Sequence, residues 1–162
     1  MKTPHITAAT AQDGPLMRML LDRVCEERFD FPEGAMDAYR RMFEGETFGQ
    51  WLRRPGTVFL AAREGERLQG FLAGLPPEGG VGTIMWLLVA QEARARGAGA
   101  ALRDAACHRY EMFGAHKIKL TAPTSEAVSF YEHMGFKKEG FHPDHWWGCD
   151  FWSLGYHLRT RR

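Results

Sequence analysis

Three residues in the middle of the chain, Arg94, Gly97 and Gly99, follow the spacing Arg-x-x-Gly-x-Gly. An apolar run ends at Val89 just before them, and a helical pattern of apolar residues begins just after them. Backbone N–H groups at a helix start, together with the helix dipole, favour a bound phosphate. Two glycines let the backbone approach that phosphate without a Cβ in the way, and Arg94 and Arg96 add positive charge. The pattern predicts a phosphate-binding turn, with a glycine-rich helix start and solvated arginines as the alternative.

Other phosphate motifs do not match this segment. A P-loop requires Gly-x-x-x-x-Gly-Lys-Ser/Thr, and the sequence contains no such run. A dinucleotide fingerprint requires Gly or Ala two residues after Ala100, where Leu102 stands. It also requires an acidic residue after the next strand, where the sequence reads Ala122-Pro123-Thr124. These departures weaken the nucleotide-cofactor interpretations.

A second segment begins at Thr124 and continues to Gly135-Phe136. With the turn at Arg94, it resembles the GCN5-related N-acetyltransferase (GNAT) superfamily. That family's acetyl-CoA signature is Gln/Arg-x-x-Gly-x-Gly/Ala between a central strand and a helix, and its second segment is Asn-x-x-Ala-x-x-Leu-Tyr followed by Gly-Phe. The matching residues of the second segment are Ala127, Tyr131, Gly135 and Phe136, while Thr124 replaces Asn and Phe130 replaces Leu. The predicted order of strands and helices also follows the family.

The resemblance implies where acetyl-CoA would bind. In such enzymes the strand before the signature offers backbone groups to the pantetheine arm and the thioester carbonyl, and the following loop holds the pyrophosphate. The implied contacts are Leu87, Leu88, Val89, Arg94, Ala95, Arg96, Gly97, Ala98, Gly99 and Ala100, with Thr124 and Ser129 as weaker candidates. Thr124 can equally be a helix N-cap.

The resemblance also places Tyr131 at the family's usual general-acid position. A phenol with a pKa of about 10 can donate a proton to a departing thiolate. The alternative is an aromatic side chain packed on the core side of a short helix. No covalent enzyme intermediate is needed for this reaction, so Cys107 need not be a nucleophile.

The acceptor side has fewer signals. Family members often carry a Glu on the central strand as a base, but residues 83–88 include no acid. The base would be water or a more distant group, and each candidate carboxylate can equally be a solvated surface charge. The candidates are Glu26, Glu27, Asp30, Glu33 and Glu78. Trp86 and the run His142-Pro-Asp-His145-Trp146-Trp147 could supply aromatic walls for an acceptor pocket.

The spacing His142-x-x-His145-x-x-x-Cys149 also raises the possibility of a metal site. It matches none of the common zinc signatures, and loop histidines are the more ordinary interpretation. We therefore expect no metal.

Composition limits the class of protein. The chain has 162 residues, of which 44% are hydrophobic, so one domain over residues 1–162 with a well-filled core is expected. Its 21 Lys and Arg residues nearly balance 20 Asp and Glu residues, which argues against a nucleic-acid binder. The short basic tail at residues 159–162 is expected to be a solvated chain end.

Cysteine spacing and hydropathy indicate the compartment. Cys25, Cys107 and Cys149 lie far apart, with no Cys-x-x-Cys pair, which favours a reducing environment. No apolar run approaches the roughly 20 residues of a membrane span, and no signal peptide is evident. We expect a cytoplasmic protein without a membrane partner.

Apolar periodicity and turn residues predict the elements that would position these residues. A capping box at Thr10–Asp13 should start the first helix, and residues 76–80 should break the chain. Strands are predicted over 6–9, 57–62, 68–75, 81–89, 118–122, from 136, and over 150–157; helices are predicted over 15–29, 33–51, 98–112 and 124–133. This order predicts a single-domain α/β fold with a mixed, mostly antiparallel central sheet and helices on both faces.

The resemblance and these elements lead to one expected function. The chain is expected to move an acetyl group from acetyl-CoA to a primary amine of a small-molecule acceptor, by direct attack in a ternary complex. A catalytically silent acyl-CoA sensor and an enzyme that uses a longer acyl-CoA remain alternatives. The oligomeric state is open, and a homodimer is compatible with the sequence.

Overall fold

A seven-stranded sheet forms the centre of the protein. The computed structural model describes residues 3–158, so the basic tail at 159–162 lies outside the described residues. The strands are His5–Ala8 (β1), Val58–Glu64 (β2), Arg67–Glu78 (β3), Val81–Val89 (β4), Lys117–Ala122 (β5), Lys137–His142 (β6) and Phe151–His157 (β7). Their spatial order is β1-β2-β3-β4-β5-β7-β6, and only β4 and β5 run parallel. The predicted mixed, mostly antiparallel sheet is confirmed.

Five α-helices cover the two faces of this sheet. Helices α1 and α4 both pack on β3 and β4, from opposite faces, whereas α5 packs on β5, β6 and β7. The helices are Gly14–Arg28 (α1), Glu33–Arg41 (α2), Gly45–Arg53 (α3), Ala98–Met112 (α4) and Ser125–His133 (α5). Within residues 3–158, none of them combines the length and apolar character that a membrane crossing requires.

The prediction of one helix over residues 33–51 is wrong, because two helices, α2 and α3, occupy that stretch. The chain breaks after Arg41, and Gly45 starts α3 with a φ of +45°, in the left-handed region that favours glycine. The break turns Phe43 into the core, where its ring lies 5.9 Å from that of Phe48 and 5.3 Å from that of Phe71. Burial of this side chain outweighs the local helical pattern.

The capping box predicted at the start of the first helix is present. The Thr10 N–H donates to Asp13 Oδ2 at 2.8 Å, and Arg63 of β2 forms an ion pair with the same carboxylate. Asp13 is only 3% exposed, so this pair satisfies a buried charge. It ties the start of α1 to the sheet.

The chain break predicted at residues 76–80 is placed too early in the sequence. Strand β3 continues through Pro76 and Pro77 to Glu78. Proline has no N–H for a ladder bond, and the register to β4 skips from Leu75 to Glu78 at this point. The prolines therefore sit in an irregular stretch of the ladder that does not need their donors.

Strands β4 and β5 separate soon after they meet. They pair only over Val81–Thr83 and Lys117–Lys119. Beyond Thr83, β4 stays paired with β3 and β5 stays paired with β7, so the sheet opens between the two strands. We call the point where β4 and β5 separate the fork. Ala73 pairs with Trp86 and Gly74 pairs with Ile84, so Met85 forms a bulge just past the fork.

Tyr110 of α4 is buried beneath this fork. Its hydroxyl lies 2.9 Å from the Leu75 carbonyl oxygen and 3.3 Å from that of Thr83, and its proton can be donated to either. Gly74 and Gly82 leave the space that the ring occupies, since a Cβ would lie 2.1 Å from Tyr110 Oη at Gly74 and 2.5 Å from Cε1 at Gly82. Tyr110 thus holds α4 against β3 and β4, beside the point where β4 parts from β5.

Gly82→Ala should destabilise the protein by about 1–3 kcal/mol, because the added methyl group overpacks against the Tyr110 ring. The matched control is Gly34→Ala in α2, where an added Cβ meets nothing within 4 Å. That change should stabilise the protein by about 0.5–1 kcal/mol through lower unfolded-state entropy. Urea unfolding of the three proteins measures both effects, and equal free energies of unfolding for the two variants would contradict the role given to Gly82.

Candidate functional site

A cleft lies where β4 and β5 part. One wall comes from the end of α1, the floor from β4, and the opposite wall from α5. The lining residues are Val24, Arg28, Phe29, Leu87, Leu88, Val89, Arg94, Thr124, Glu126, Ala127, Phe130 and Tyr131. The structure thus brings together residues that the sequence placed in the strand, the turn and the second segment.

The β4 backbone faces the cleft with polar groups. The Leu87 carbonyl oxygen lies 3.5 Å from the Tyr131 hydroxyl, and the Val89 carbonyl oxygen lies 3.3 Å from Arg94 Nε. In an antiparallel pair, residues alternate between those that bond to the partner strand and those that turn their N–H and C=O to the other edge. Leu87 and Val89 belong to the second set, so their N–H groups also point into the opening. Leu88 turns its backbone toward β3 and leaves only its side chain at the cleft.

The turn after β4 presents unpaired N–H groups. A 3₁₀ segment, Gln91–Arg96, leads to Gly97, whose φ of +79° lies in the left-handed region. The first i→i−4 bond of α4 runs from the Ala101 N–H to the Gly97 carbonyl at 3.0 Å. The three N–H groups before it, at residues 98–100, therefore have no partner within the helix. This is the helix end at which the sequence predicts a bound phosphate.

The two arginines of the turn are held differently. Arg96 forms an ion pair with Glu64 at 2.7 Å and lies on the exposed side. Arg94 lines the cleft and forms no ion pair with any carboxylate among residues 3–158. Arg94 is therefore the better-placed positive charge for an anion in the cleft, and Ala95 lies exposed beside it.

Glycine occupies the two positions of the motif, Gly97 and Gly99, for different reasons. A Cβ at Gly97 would meet nothing within 4 Å, so the space there is open for a ligand. A Cβ at Gly99 would lie 3.2 Å from Met134 Sδ and 3.2 Å from Phe130 Cζ. Gly99 thus allows close packing of α4 against α5, which differs from the expected approach to a phosphate. Ala98 is likewise buried and offers only its backbone.

Tyr131 joins the core to the cleft. Its ring packs against those of Phe130 and Phe136, with centroids 5.3 and 5.9 Å away. Its hydroxyl reaches across to Leu87 through a long, weak hydrogen bond of 3.5 Å. Burial raises the pKa of Tyr131 above that of an ordinary tyrosine, so the phenol is protonated at neutral pH. Both interpretations of this residue, packing and proton donor, are compatible with its position.

The two weaker cofactor candidates lie in different places. Thr124 is the N-cap of α5 and accepts a 3.1 Å hydrogen bond from the Ala127 N–H, and it also lines the cleft. Ser129 lies on the exposed side of α5, and its carbonyl accepts from His133 Nδ1 at 2.7 Å. It is not among the lining residues, so its contact with a cofactor stays a prediction.

The acidic residues proposed as a base differ in their position relative to the cleft and in their ion pairs. Glu78 lies at the Val81 end of β4, roughly 20 Å along the strand from Leu87 at about 3.3 Å per residue. Glu33 is bound to Arg40 at 2.8 Å, and Glu27 lies 3.7 Å from Arg23. Glu26 and Asp30 are exposed near the end of α1 and form no ion pair within the described part of the chain. No carboxylate is thus aimed at Leu87 from β4 itself.

Two of the cysteines are unsuited to covalent chemistry. Burial raises the pKa of Cys25 to about 12 and that of Cys107 to about 11. Both are therefore thiols at neutral pH, whereas the thiolate is the nucleophilic form. The residues that line the cleft include no cysteine.

Aromatic side chains continue from the cleft toward the loop between β6 and β7. Tyr39 of α2 lies 4.9 Å from Trp86 of β4 and 6.4 Å from Trp147 of that loop. Trp86 and Trp147, which the sequence suggested for an acceptor pocket, thus both lie against the Tyr39 ring. Phe29 and Phe31 extend the same aromatic surface. Their positions on either side of Asp30 in the sequence are a signal that could have identified this surface.

The histidines of this loop lie close together without forming a metal centre. The His142 and His145 rings are 5.1 Å apart, and His142 Nε2 lies 3.2 Å from Ser153 Oγ. Across residues 3–158 there is no group of three His, Cys, Asp or Glu side chains with the geometry of a metal site.

The sequence model described as the Acetyltransferase (GNAT) family matches residues 18–136. This range starts within α1 and includes β4, the turn and α5. Among curated proteins, none matches the sequence significantly.

Solved structures share the whole fold at low sequence identity. PaiA N-acetyltransferase from Thermoplasma acidophilum, in complex with coenzyme A, is 18% identical with a TM-score of 0.73 over 96% of this chain and 100% of its own. An aminoglycoside 6'-N-acetyltransferase complexed with coenzyme A is 17% identical, TM-score 0.74, over 98% and 99%. The ribosomal-protein-S18-alanine N-acetyltransferase from Escherichia coli is 15% identical, TM-score 0.73, over 99% and 97%. At these low sequence identities, the likeness shows a shared fold alone.

Proposed function

The chain belongs to the Acetyltransferase (GNAT) family, and we propose that it transfers an acetyl group from acetyl-CoA to a primary amine of a small molecule. One observation supports this most: a single cleft joins Arg94 of the turn, the β4 backbone at Leu87 and the Tyr131 hydroxyl, and the unpaired N–H groups at the start of α4 follow Arg94 in the chain. The turn suits a pyrophosphate, the β4 backbone suits a thioester, and the Tyr131 hydroxyl suits a departing thiolate. The two structural relatives with bound coenzyme A support the same assignment.

The proposal extends to the whole chain and to its compartment. We propose that residues 1–162 act as one N-acetyltransferase domain, because every described strand joins the same sheet. The three cysteines are free thiols in the structure, which supports a reducing, cytoplasmic location.

The residues of the cleft fit the parts of acetyl-CoA. The N–H groups of residues 98–100 and Arg94 would bind the pyrophosphate, and the open space beside Gly97 admits it. The N–H groups of Leu87 and Val89 would hold the pantetheine arm and the thioester oxygen. Val24 and Phe130 offer apolar surface for the rest of the arm.

The proposed reaction needs no enzyme-bound intermediate. The amine nitrogen attacks the thioester carbon, and the new C–N bond pushes an electron pair onto the carbonyl oxygen, where a β4 N–H stabilises it. When the carbonyl re-forms, the C–S bond breaks and its electron pair leaves on sulfur. Tyr131 donates its phenolic proton to that thiolate, and the proton lost by the amine passes to water. The phenolate then regains a proton from solvent.

Deprotonation of the acceptor precedes attack. An alkylammonium ion with a pKa of about 10 is almost wholly protonated at neutral pH, and its lone pair must first be freed. Since β4 carries no carboxylate, water serves as the proton acceptor in this proposal, and Glu26 and Asp30, which are exposed near the end of α1, are the candidates to assist it.

A thiol-release assay tests the proposal directly. Acetyl-CoA is mixed with the protein and a panel of primary amines, beside calorimetric titrations with acetyl-CoA and coenzyme A. We expect micromolar to millimolar binding and release of free thiol with at least one amine. Binding without turnover on any amine would instead favour the acyl-CoA sensor, and turnover only with longer acyl-CoA would favour the longer-chain enzyme.

Arg94→Ala should weaken coenzyme A binding by roughly 10- to 100-fold, because it removes a charge-assisted hydrogen bond to phosphate. Gly97→Asp should weaken it at least as much through charge repulsion, and it should also destabilise the fold by about 1–2 kcal/mol, because Gly97 has a left-handed φ of +79° although its Cβ meets open space. Calorimetric titration of the folded variants gives both values.

Arg96→Ala is the matched control for Arg94, because Arg96 is already paired with Glu64. Its coenzyme A affinity should change by less than about 3-fold. Equal losses in the two arginine variants would contradict the separate roles assigned to them.

Tyr131→Phe should lower kcat by about 10²–10⁴-fold with little effect on acetyl-CoA affinity, because general acid catalysis acts in the transition state. Tyr110→Phe is the control, since that hydroxyl also donates to backbone carbonyls but lies under the fork. It should reduce stability by about 1–3 kcal/mol and leave kcat largely unchanged. Near-normal kcat in Tyr131→Phe would assign Tyr131 to packing alone.

A further inference from the structure

The aromatic side chains of Tyr39, Trp86 and Trp147 lie together beside the cleft, and we call them the aromatic wall. The Tyr39 ring is inclined at 82° to that of Trp86 and at 86° to that of Trp147. They come from α2, β4 and the β6–β7 loop, three segments far apart in the sequence. Such an arrangement offers both ring faces and ring edges to a molecule that lies against it.

Trp147 is held in an unfavourable backbone conformation. Its φ of +59° and ψ of 27° lie in the left-handed region, which costs a bulky residue roughly 1–2 kcal/mol. The side chain is 48% exposed, so core burial does not fully offset that cost. The loop is closed at its base by hydrogen bonds from the Asp144 N–H to Asp150 Oδ1 and from the His145 N–H to the Cys149 carbonyl, each 2.8 Å. This closed loop presents Trp147 to Tyr39.

The aromatic wall is continuous with the reacting centre. Trp86 directly precedes Leu87, whose carbonyl lies against the Tyr131 hydroxyl. Phe29 lines the cleft and lies 5.4 Å from Phe31, which in turn lies 5.5 Å from Tyr39. A molecule whose amine reaches the Leu87 backbone would therefore place its remaining atoms on aromatic surface.

The charges near the aromatic wall favour a cationic amine but do not set the number of its ammonium groups. On the neighbouring helices, Asp22, Glu33 and Asp37 all converge on Arg40 at 2.6, 2.8 and 3.2 Å. Three carboxylates beside one guanidinium leave two formal negative charges unbalanced, and such a surplus attracts a cation. The choice among amines therefore rests on the aromatic surface.

We propose that the aromatic wall selects acceptors whose primary amine is carried on a flat apolar group, the chemical class of arylalkylamines, and that Trp147 is the residue that determines this specificity. The inference rests on the proposed function and names the substrate class for it. Burial of one aromatic ring against another contributes about 1.5–3 kcal/mol, which is a 10- to 100-fold preference in kcat/KM. Trp147 touches the apolar part of the acceptor and takes no part in bond making.

The test compares 2-phenylethylamine with spermidine as acceptors for the wild type, Trp147→Ala and Trp147→Phe. Wild type should prefer 2-phenylethylamine. Trp147→Ala should lose about 10- to 100-fold in kcat/KM for it, mainly through KM, and change little with spermidine. Trp147→Phe, which keeps a ring, should recover most of the loss. Phe141→Ala is the control, because Phe141 is 49% exposed and packs on Trp152 instead, and it should stay within about 3-fold.

A binding measurement separates failure of this inference from failure of the proposed function. Calorimetric titration of 2-phenylethylamine into the protein loaded with coenzyme A needs no turnover. Binding that depends on Trp147 without any acetyl transfer would support the aromatic wall and contradict the proposed reaction. A wild type that prefers spermidine, equal losses in Trp147→Ala and Phe141→Ala, or no binding of 2-phenylethylamine would overturn the inference.

Discussion

The separation of β4 from β5 is the constraint on which the rest of the site depends. The two strands share only three residue pairs, and past Thr83 the inner edge of β4 has no neighbouring strand. Backbone N–H and C=O groups that are buried without a partner cost free energy, so such an opening persists only where water or a ligand satisfies them. Here the opening leaves Leu87 and Val89 facing a cleft. The same feature that weakens the sheet creates its binding surface.

Tight packing below and beside the fork keeps this opening fixed. Tyr110 fills the space left by Gly74 and Gly82 beneath the strands, and Gly99 lets α4 approach Phe130 and Met134 of the α5 side. Because interiors are close-packed, these contacts fix α4 against β3, β4 and the end of α5. The helices that border the opening are thus positioned by contacts that involve none of the groups expected to react.

The sequence predicted best those features that arise from neighbouring residues. Gly97 at the helix start, Thr124 as an N-cap and the capping box at Asp13 each depend on a few adjacent positions, and all are present. Errors occurred where distant packing decided the outcome. The helix over 33–51 broke because Phe43 is buried against Phe71, and β3 passed through its prolines because the ladder to β4 is irregular there. Propensity is a weak guide wherever tertiary contacts oppose it.

The same distinction divides the two halves of the candidate site. The cofactor half is a strand, a turn and a helix start in one continuous stretch, so a local motif suffices to identify it. The acceptor half joins Tyr39, Trp86 and Trp147, and only the fold brings these three together. A fold can therefore preserve one half while loop sequences change the other, since function resides in the site that a fold carries. In our proposal, the aromatic wall is where substrate choice can change without disturbing the turn that contains Arg94 and Gly97.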